Sequence, residues 1–142
     1  MKIHLKRNER LFINGAVIRL DRRGSIELLN DAQFLMENHV LQQEEAKTPL
    51  QQIYFIIQTM LMDPSNSHLT MYLFDAYVDK LSGLGFAPEI LDVAASARKL
   101  VGQSNYYGAL KLLRQSFGLE RLPQDASSLH NILSANCEVP PT

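Results

Sequence analysis

The chain begins with short alternations of apolar and polar residues. "IHLKR" sets Ile3 and Leu5 against polar neighbours, "LFI" and "AVI" flank Asn14-Gly15, and "SIELL" follows Gly24. Period-2 runs separated by turn residues predict short β-strands. Asn-Gly is the favoured pair for a two-residue type I′ hairpin because both residues tolerate positive φ. A second turn is expected at "DRRG", where Gly24 can take the left-handed conformation and Arg22 and Arg23 are left on an exposed tip. A third falls at "NDA", ahead of "QFLM". Residues 1 to about 45 therefore predict four or five strands in a small antiparallel sheet.

The pattern then changes. "ENHVLQQEEAK" is polar and acidic with few β-formers, a connector with room for a helical turn. At "TPLQ", Thr48 can cap, Pro49 suits the first helical position and Gln51 the third, which is a capping box. The helix that follows carries Ile53, Ile56, Ile57, Met60 and Leu61 at spacings of three and four, and should stop before Asp63-Pro64. A second helix is expected from near Ser67 through Leu81, with Leu69, Tyr72, Leu73, Ala76, Tyr77 and Leu81 in phase and Gly83 and Gly85 ending it. A third runs from Pro88 to about Val101. The fourth, capped by Ser104 or Asn105, puts Leu110, Leu113 and Phe117 on one stripe.

The expected fold class is α+β: the N-terminal β unit (1–45) packed beside a bundle of about four helices (46–121). Beyond Pro123 the residues are mostly Gln, Asp, Ser, Asn and Pro, so 122–142 reads as a disordered tail in which "SLHNIL" can form a partner-bound turn. The 142 residues and 46% apolar content suit one compact unit or two small ones. The lone Cys137 cannot close an internal disulfide, and the charged start "MKIHLKRNER" lacks the apolar core of a secretory signal. No stretch approaches the ~20 apolar residues of a membrane span. These features lead us to expect a soluble cytoplasmic protein with no membrane contact.

Charge adds an asymmetry that the net value of -1 conceals. Residues 1–23 hold Lys2, Lys6, Arg7, Arg10, Arg19, Arg22 and Arg23 against Glu9 and Asp21, half of all basic side chains in the first sixth of the chain. Such a surface attracts phosphates or an acidic partner. Arginine suits phosphate because its planar fork bonds bidentately and also stacks on bases. Lys6, Arg7, Arg10, Arg19, Arg22 and Arg23 are accordingly the candidate RNA-binding residues. The competing reading pairs them with Asp21, Glu9 and the acidic block after them. A second candidate surface is Arg98, Lys99, Lys111 and Arg114 with Tyr106 and Tyr107 between, although helical tyrosines usually bury their rings.

Catalytic and metal chemistry find no support. The histidines at 4, 39, 68 and 130 are scattered, and zinc-ligand spacing is absent. "LSGLGF" is a helix stop and not a phosphate loop. No nucleophile motif occurs, and Asp75 and Asp79 sit four apart on what should be a solvated helix face beside Lys80. The expectation is a binding protein, with no enzyme activity, cofactor or metal.

Taken in order, "NGAVI", "DRRG", "TPLQQIYFIIQTMLMDP" and "YYGALKLLR" resemble the FlbT family of flagellum biosynthesis regulators from about Leu5 to Leu119. The segment from Thr48-Pro49 to Asp63-Pro64 is the most specific. The resemblance implies a cytoplasmic bacterial repressor. It would associate with the 5′ untranslated leader of flagellin mRNA, lower its stability or translation, and work with a partner called FlaF. On that view Arg22 and Arg23 are the first candidates for RNA contact. The first 43 residues also look distantly like the small RNA-binding CsrA fold. Met36 stands where an Arg commonly follows the last strand, so a CsrA-like contact from that position is absent.

A rival reading makes the helical half an adaptor for FlaF or flagellin, with an indirect effect on the mRNA. Apolar side chains left over after packing, such as Leu69 or Phe74, would then form the docking patch. The sequence displays surfaces and not the sign of their effect, so activation of flagellin expression fits this reading as well as repression does.

Overall fold

The computed structural model describes residues 1–120. The tail expected from 122 onward, with Cys137 and "SLHNIL", lies outside the described residues. Within them the α+β expectation holds. Five strands, β1 (Lys2–Leu5), β2 (Arg10–Ile13), β3 (Ala16–Arg19), β4 (Gly24–Glu27) and β5 (Phe34–Met36), precede four helices, α1 (Pro49–Met62), α2 (Ser67–Leu81), α3 (Pro88–Gly102) and α4 (Tyr106–Ser116).

The strands form two small antiparallel sheets where one was expected. β1 pairs with β4 from Lys2↔Glu27 to Leu5↔Gly24, and β2 pairs with β3 from Arg10↔Arg19 to Ile13↔Ala16. Paired residue numbers sum to 29 in both ladders, so they are the two halves of one long hairpin. It closes at Asn14-Gly15, whose φ values of 49° and 82° are the positive pair that a type I′ turn requires. Gly15 is also hemmed in: a Cβ there would lie 3.2 Å from the Pro64 ring, at the joint between α1 and α2.

Midway along, pairing is interrupted at residues 6–9 and 20–23. Asn8 takes φ 63° and its N–H donates to the Leu20 carbonyl at 2.9 Å. This corrects the expectation that "DRRG" is a hairpin tip. The strands it joins, β3 and β4, belong to different ladders. The chain bends there without reversing, because each flanking strand already has a partner in the long hairpin. β5 completes the second sheet beside β2, with Leu11↔Met36 and Ile13↔Phe34.

The connector holds 3-10 turns at Glu37–His39 and Gln43–Glu45. α1 starts as its sequence requires, since the Thr48 side chain accepts from the Gln51 N–H while the Gln51 side chain accepts from the Thr48 N–H. It ends ahead of Asp63-Pro64 with Leu50, Ile53, Tyr54, Ile57, Met60 and Leu61 buried. α4 is capped by Asn105, which accepts from the Gly108 N–H at 2.9 Å. A Cβ on Gly108 would come within 2.6 Å of that cap, so the apparent helix weakener is what lets the cap close.

In α2 the buried face is Thr70, Phe74, Val78 and Leu81. Leu69, Tyr72 and Leu73, expected to face the core, are 64%, 71% and 52% exposed, and Phe74, expected as a leftover, is fully buried. Nearly every position from 69 to 78 is apolar, so the helical period fits two faces one residue apart and only packing chooses between them.

Two buried clusters result. The larger lies among the helices with Leu35; the smaller holds Ile3, Leu5, Leu11 and Phe34, with Tyr107 against it. Gln33 ties them together, donating to the Ser104 carbonyl at 2.6 Å and accepting from the Tyr107 N–H at 2.9 Å. The Phe34 and Tyr107 rings meet at 4.9 Å.

Candidate nucleic-acid interface

The interrupted hairpin gathers the N-terminal cations at one corner. Lys6 and Arg7 directly follow Leu5, and Arg22 and Arg23 directly precede Gly24, its partner at the end of the β1–β4 ladder, while Arg10 is opposite Arg19 at the start of the next ladder. Arg7 belongs to the same turn as Lys6, and Arg22 and Arg23 lie in the bend that leads into β4. Six candidate residues, Lys6, Arg7, Arg10, Arg19, Arg22 and Arg23, therefore share one corner, and all six are exposed.

Carboxylates answer few of them. Glu37 accepts from the Arg10 backbone N–H at 2.7 Å and from its Nε at 3.4 Å. Those contacts, the backbone bond foremost, hold the Glu37 carboxyl below its usual range. Arg22 lies 3.9 Å from Asp21, both almost fully in water, a pair of little strength. Glu9 turns back to the Lys6 backbone N–H at 2.9 Å. Among the described residues no carboxylate is within ion-pair distance of the side chains of Lys6, Arg7, Arg19 or Arg23. Two adjacent exposed arginines thus stand at the hairpin corner, Arg22 beside Asp21 and Arg23 with no carboxylate within ion-pair distance among the described residues.

The second candidate surface is differently placed. Arg98 bridges Asp75 at 3.2 Å and Asp79 at 2.7 Å. Arg114 turns inward and donates to the Tyr54 hydroxyl at 2.9 Å, while that hydroxyl donates to the His39 carbonyl at 2.7 Å. Burial pushes the Tyr54 phenol up, and burial with the nearby Arg114 charge pushes the His39 imidazole down. Tyr106 packs on the helical cluster and Tyr107 on the sheet cluster. Lys99 and Lys111 remain exposed, but the structure does not collect this set into one cationic face.

Beside the corner, Arg10 is also on the wall of a groove of about 750 Å³ between β2, the connector and the C-terminal half of α1. Phe12, Val40, Leu41, Phe55 and Met62 supply its apolar surface; Glu37, Glu44 and Asp63 stand at its rim. Gln58 fixes one wall, accepting from the Leu41 N–H at 2.7 Å and donating to the Leu41 carbonyl at 2.8 Å. Hydrogen bonds from Asn66 and Ser65 hold the Asp63 carboxyl below its ordinary range.

Sequence reasoning missed Asn8, Phe12, Phe55 and Gln58. Asn8 gave a signal, since Asn is among the few residues that tolerate positive φ. Phe12 lies within an apolar strand run with nothing local to mark it as half-exposed, whereas Phe55 falls off the α1 stripe of Ile53, Ile57, Met60 and Leu61, which was the signal for it.

Comparison with known proteins decides the family. The model of the flagellar protein FlbT matches residues 1–122. The chain belongs to the FlbT family. Among its relatives is a protein of Mesorhizobium japonicum named "Probable flagellum biosynthesis repressor protein FlbT", 44% identical over 121 residues, 85% of this chain and 82% of that protein. A protein of Bradyrhizobium diazoefficiens with the same description, FlbT 2, is 40% identical over 85% of this chain and 89% of its own length. One of Rhizobium johnstonii is 42% identical over all 142 residues and 89% of its own length. No solved structure matches the chain.

Proposed function

We propose that this FlbT chain represses flagellin synthesis after transcription. It holds the 5′ leader of flagellin mRNA at the hairpin corner and thereby blocks translation or promotes decay of the message. The names of its relatives support the repressor role. One observation supports the RNA contact: six exposed cations lie in the interruption of the long hairpin and at the first pair of the ladder beyond it, four of them without a carboxylate partner among the described residues. Single-stranded RNA is bound by such cationic surfaces through its phosphates. This role is carried out in the cytoplasm, without catalysis, and with a FlaF-type regulator as protein partner. No described helix is long and apolar enough to cross a membrane.

The test is fluorescence anisotropy of a labelled flagellin leader over a salt series. Log affinity should fall linearly with log salt, with slope about -0.7 per phosphate contacted on a single strand. Arg22→Ala with Arg23→Ala should weaken binding on every RNA tried and reduce the slope. Unchanged affinity in that double variant removes the corner from the mechanism.

A second reading has its own observation. Leu69, Tyr72 and Leu73 form an exposed apolar stripe on α2, the feature an adaptor for FlaF or flagellin needs. Co-elution with such a partner, with no salt-sensitive RNA shift, would favour it, and regulation of flagellin in either direction would then be indirect.

A further inference from the structure

We propose that the groove beside the hairpin corner receives an unpaired nucleobase of the RNA strand whose phosphates lie on the corner. This rests on the RNA-binding reading and deepens it. Arg10 connects the two regions: it is paired opposite Arg19 in the ladder and also forms part of the groove wall. On β2, Arg10 and Phe12 point to the same face, so a strand anchored on the arginines has the aromatic wall one strand-step away.

The groove chemistry suits a base and repels a phosphate. Phe12 and Phe55 are half-buried and both line the groove, whose volume of about 750 Å³ admits a planar ring. Among the described residues neither ring pairs with another aromatic side chain, whereas Phe34 and Phe117 do. At the rim Glu44 and Asp63 have no cation within ion-pair distance among the described residues. Carboxylates accept from the amino and imino groups on a base edge and keep a phosphate out, so the sugar-phosphate chain stays on the corner with the base inside. The Gln58 clamp on Leu41 holds the wall in place before binding, so little ordering cost falls on the complex.

Two measurements test this. The full chain is irradiated with single-stranded flagellin-leader RNA carrying 4-thiouridine or 6-thioguanosine at successive positions, and the crosslinked peptides are sequenced. Crosslinks on Phe12 or Phe55 are expected; crosslinks confined to other elements overturn the proposal. In the second, Phe55→Leu keeps the apolar volume and removes the stacking face. It should weaken binding about tenfold, within the range seen when a base loses its aromatic platform. Its salt slope should match the unsubstituted chain, because no phosphate contact is lost. Unaltered affinity in Phe55→Leu, or a changed slope, overturns the groove alone and leaves the corner standing. A chain that binds no RNA at all overturns both.

Discussion

Arg10 and Arg19 stand directly opposite each other across β2 and β3, and Glu37 answers Arg10 alone. Like charges in that relationship repel, so the ladder is kept at some cost to the fold. Arg19→Thr, which also has the better strand propensity, should raise stability by ~0.5 kcal/mol in denaturant unfolding. The same substitution should weaken RNA binding and make the salt slope shallower by about one phosphate contact. A loss of stability with unchanged RNA affinity would mean that the arginine serves the sheet.

Glu120 is 6% exposed, accepts from the Thr48 hydroxyl at 2.5 Å and from the Leu50 N–H at 3.1 Å, and burial pushes its carboxyl up against those two bonds. The folded chain thus binds this proton more tightly than the unfolded one. Its contribution is complete below the ordinary carboxylate value and is lost as pH rises through the raised one. Glu120→Gln removes that dependence. Urea unfolding at pH 7 and pH 5 should show the unsubstituted chain gaining stability relative to Glu120→Gln on acidification. His39, which titrates in the opposite sense, is common to both chains and cancels.

The Gln58 amide satisfies both backbone groups of Leu41. Gln58→Met keeps the volume and strips both bonds, which should cost about 2 kcal/mol through the orphaned N–H and C=O. Limited proteolysis should then cut faster within residues 37–45, and an unchanged cleavage rate would show that the connector does not depend on the clamp.

On α2, Phe74→Ala should cost about 3–5 kcal/mol because it empties a fully buried site. Tyr72→Ala, two residues away and 71% exposed, should change stability by no more than ~0.5 kcal/mol. Thermal denaturation of the two variants reverses these ranks if the face expected from periodicity were the packed one.

What could be read from the sequence was local chemistry. Thr48, Pro49 and Gln51 fix the start of α1, and Asp63-Pro64 its end, because capping and proline geometry act within a few residues. Asn14-Gly15 fixes the hairpin closure in the same way. The face of α2 was not legible, since an apolar residue at almost every position lets two stripes fit. The six cations of the corner were identifiable by type, but their assembly depends on which strands pair on either side of the interruption, which no short window contains. The groove is less legible still: Phe12 and Phe55 lie 43 positions apart and line one groove only because β2 packs against α1.

The bond between Thr48 and Glu120 spans 72 positions and fastens the last described turn to the residue that caps α1. That unit is in effect a ring closed by a noncovalent latch. The same carboxylate also accepts from the Leu50 N–H, so the latch grips the start of α1 at two points, on either side of Pro49.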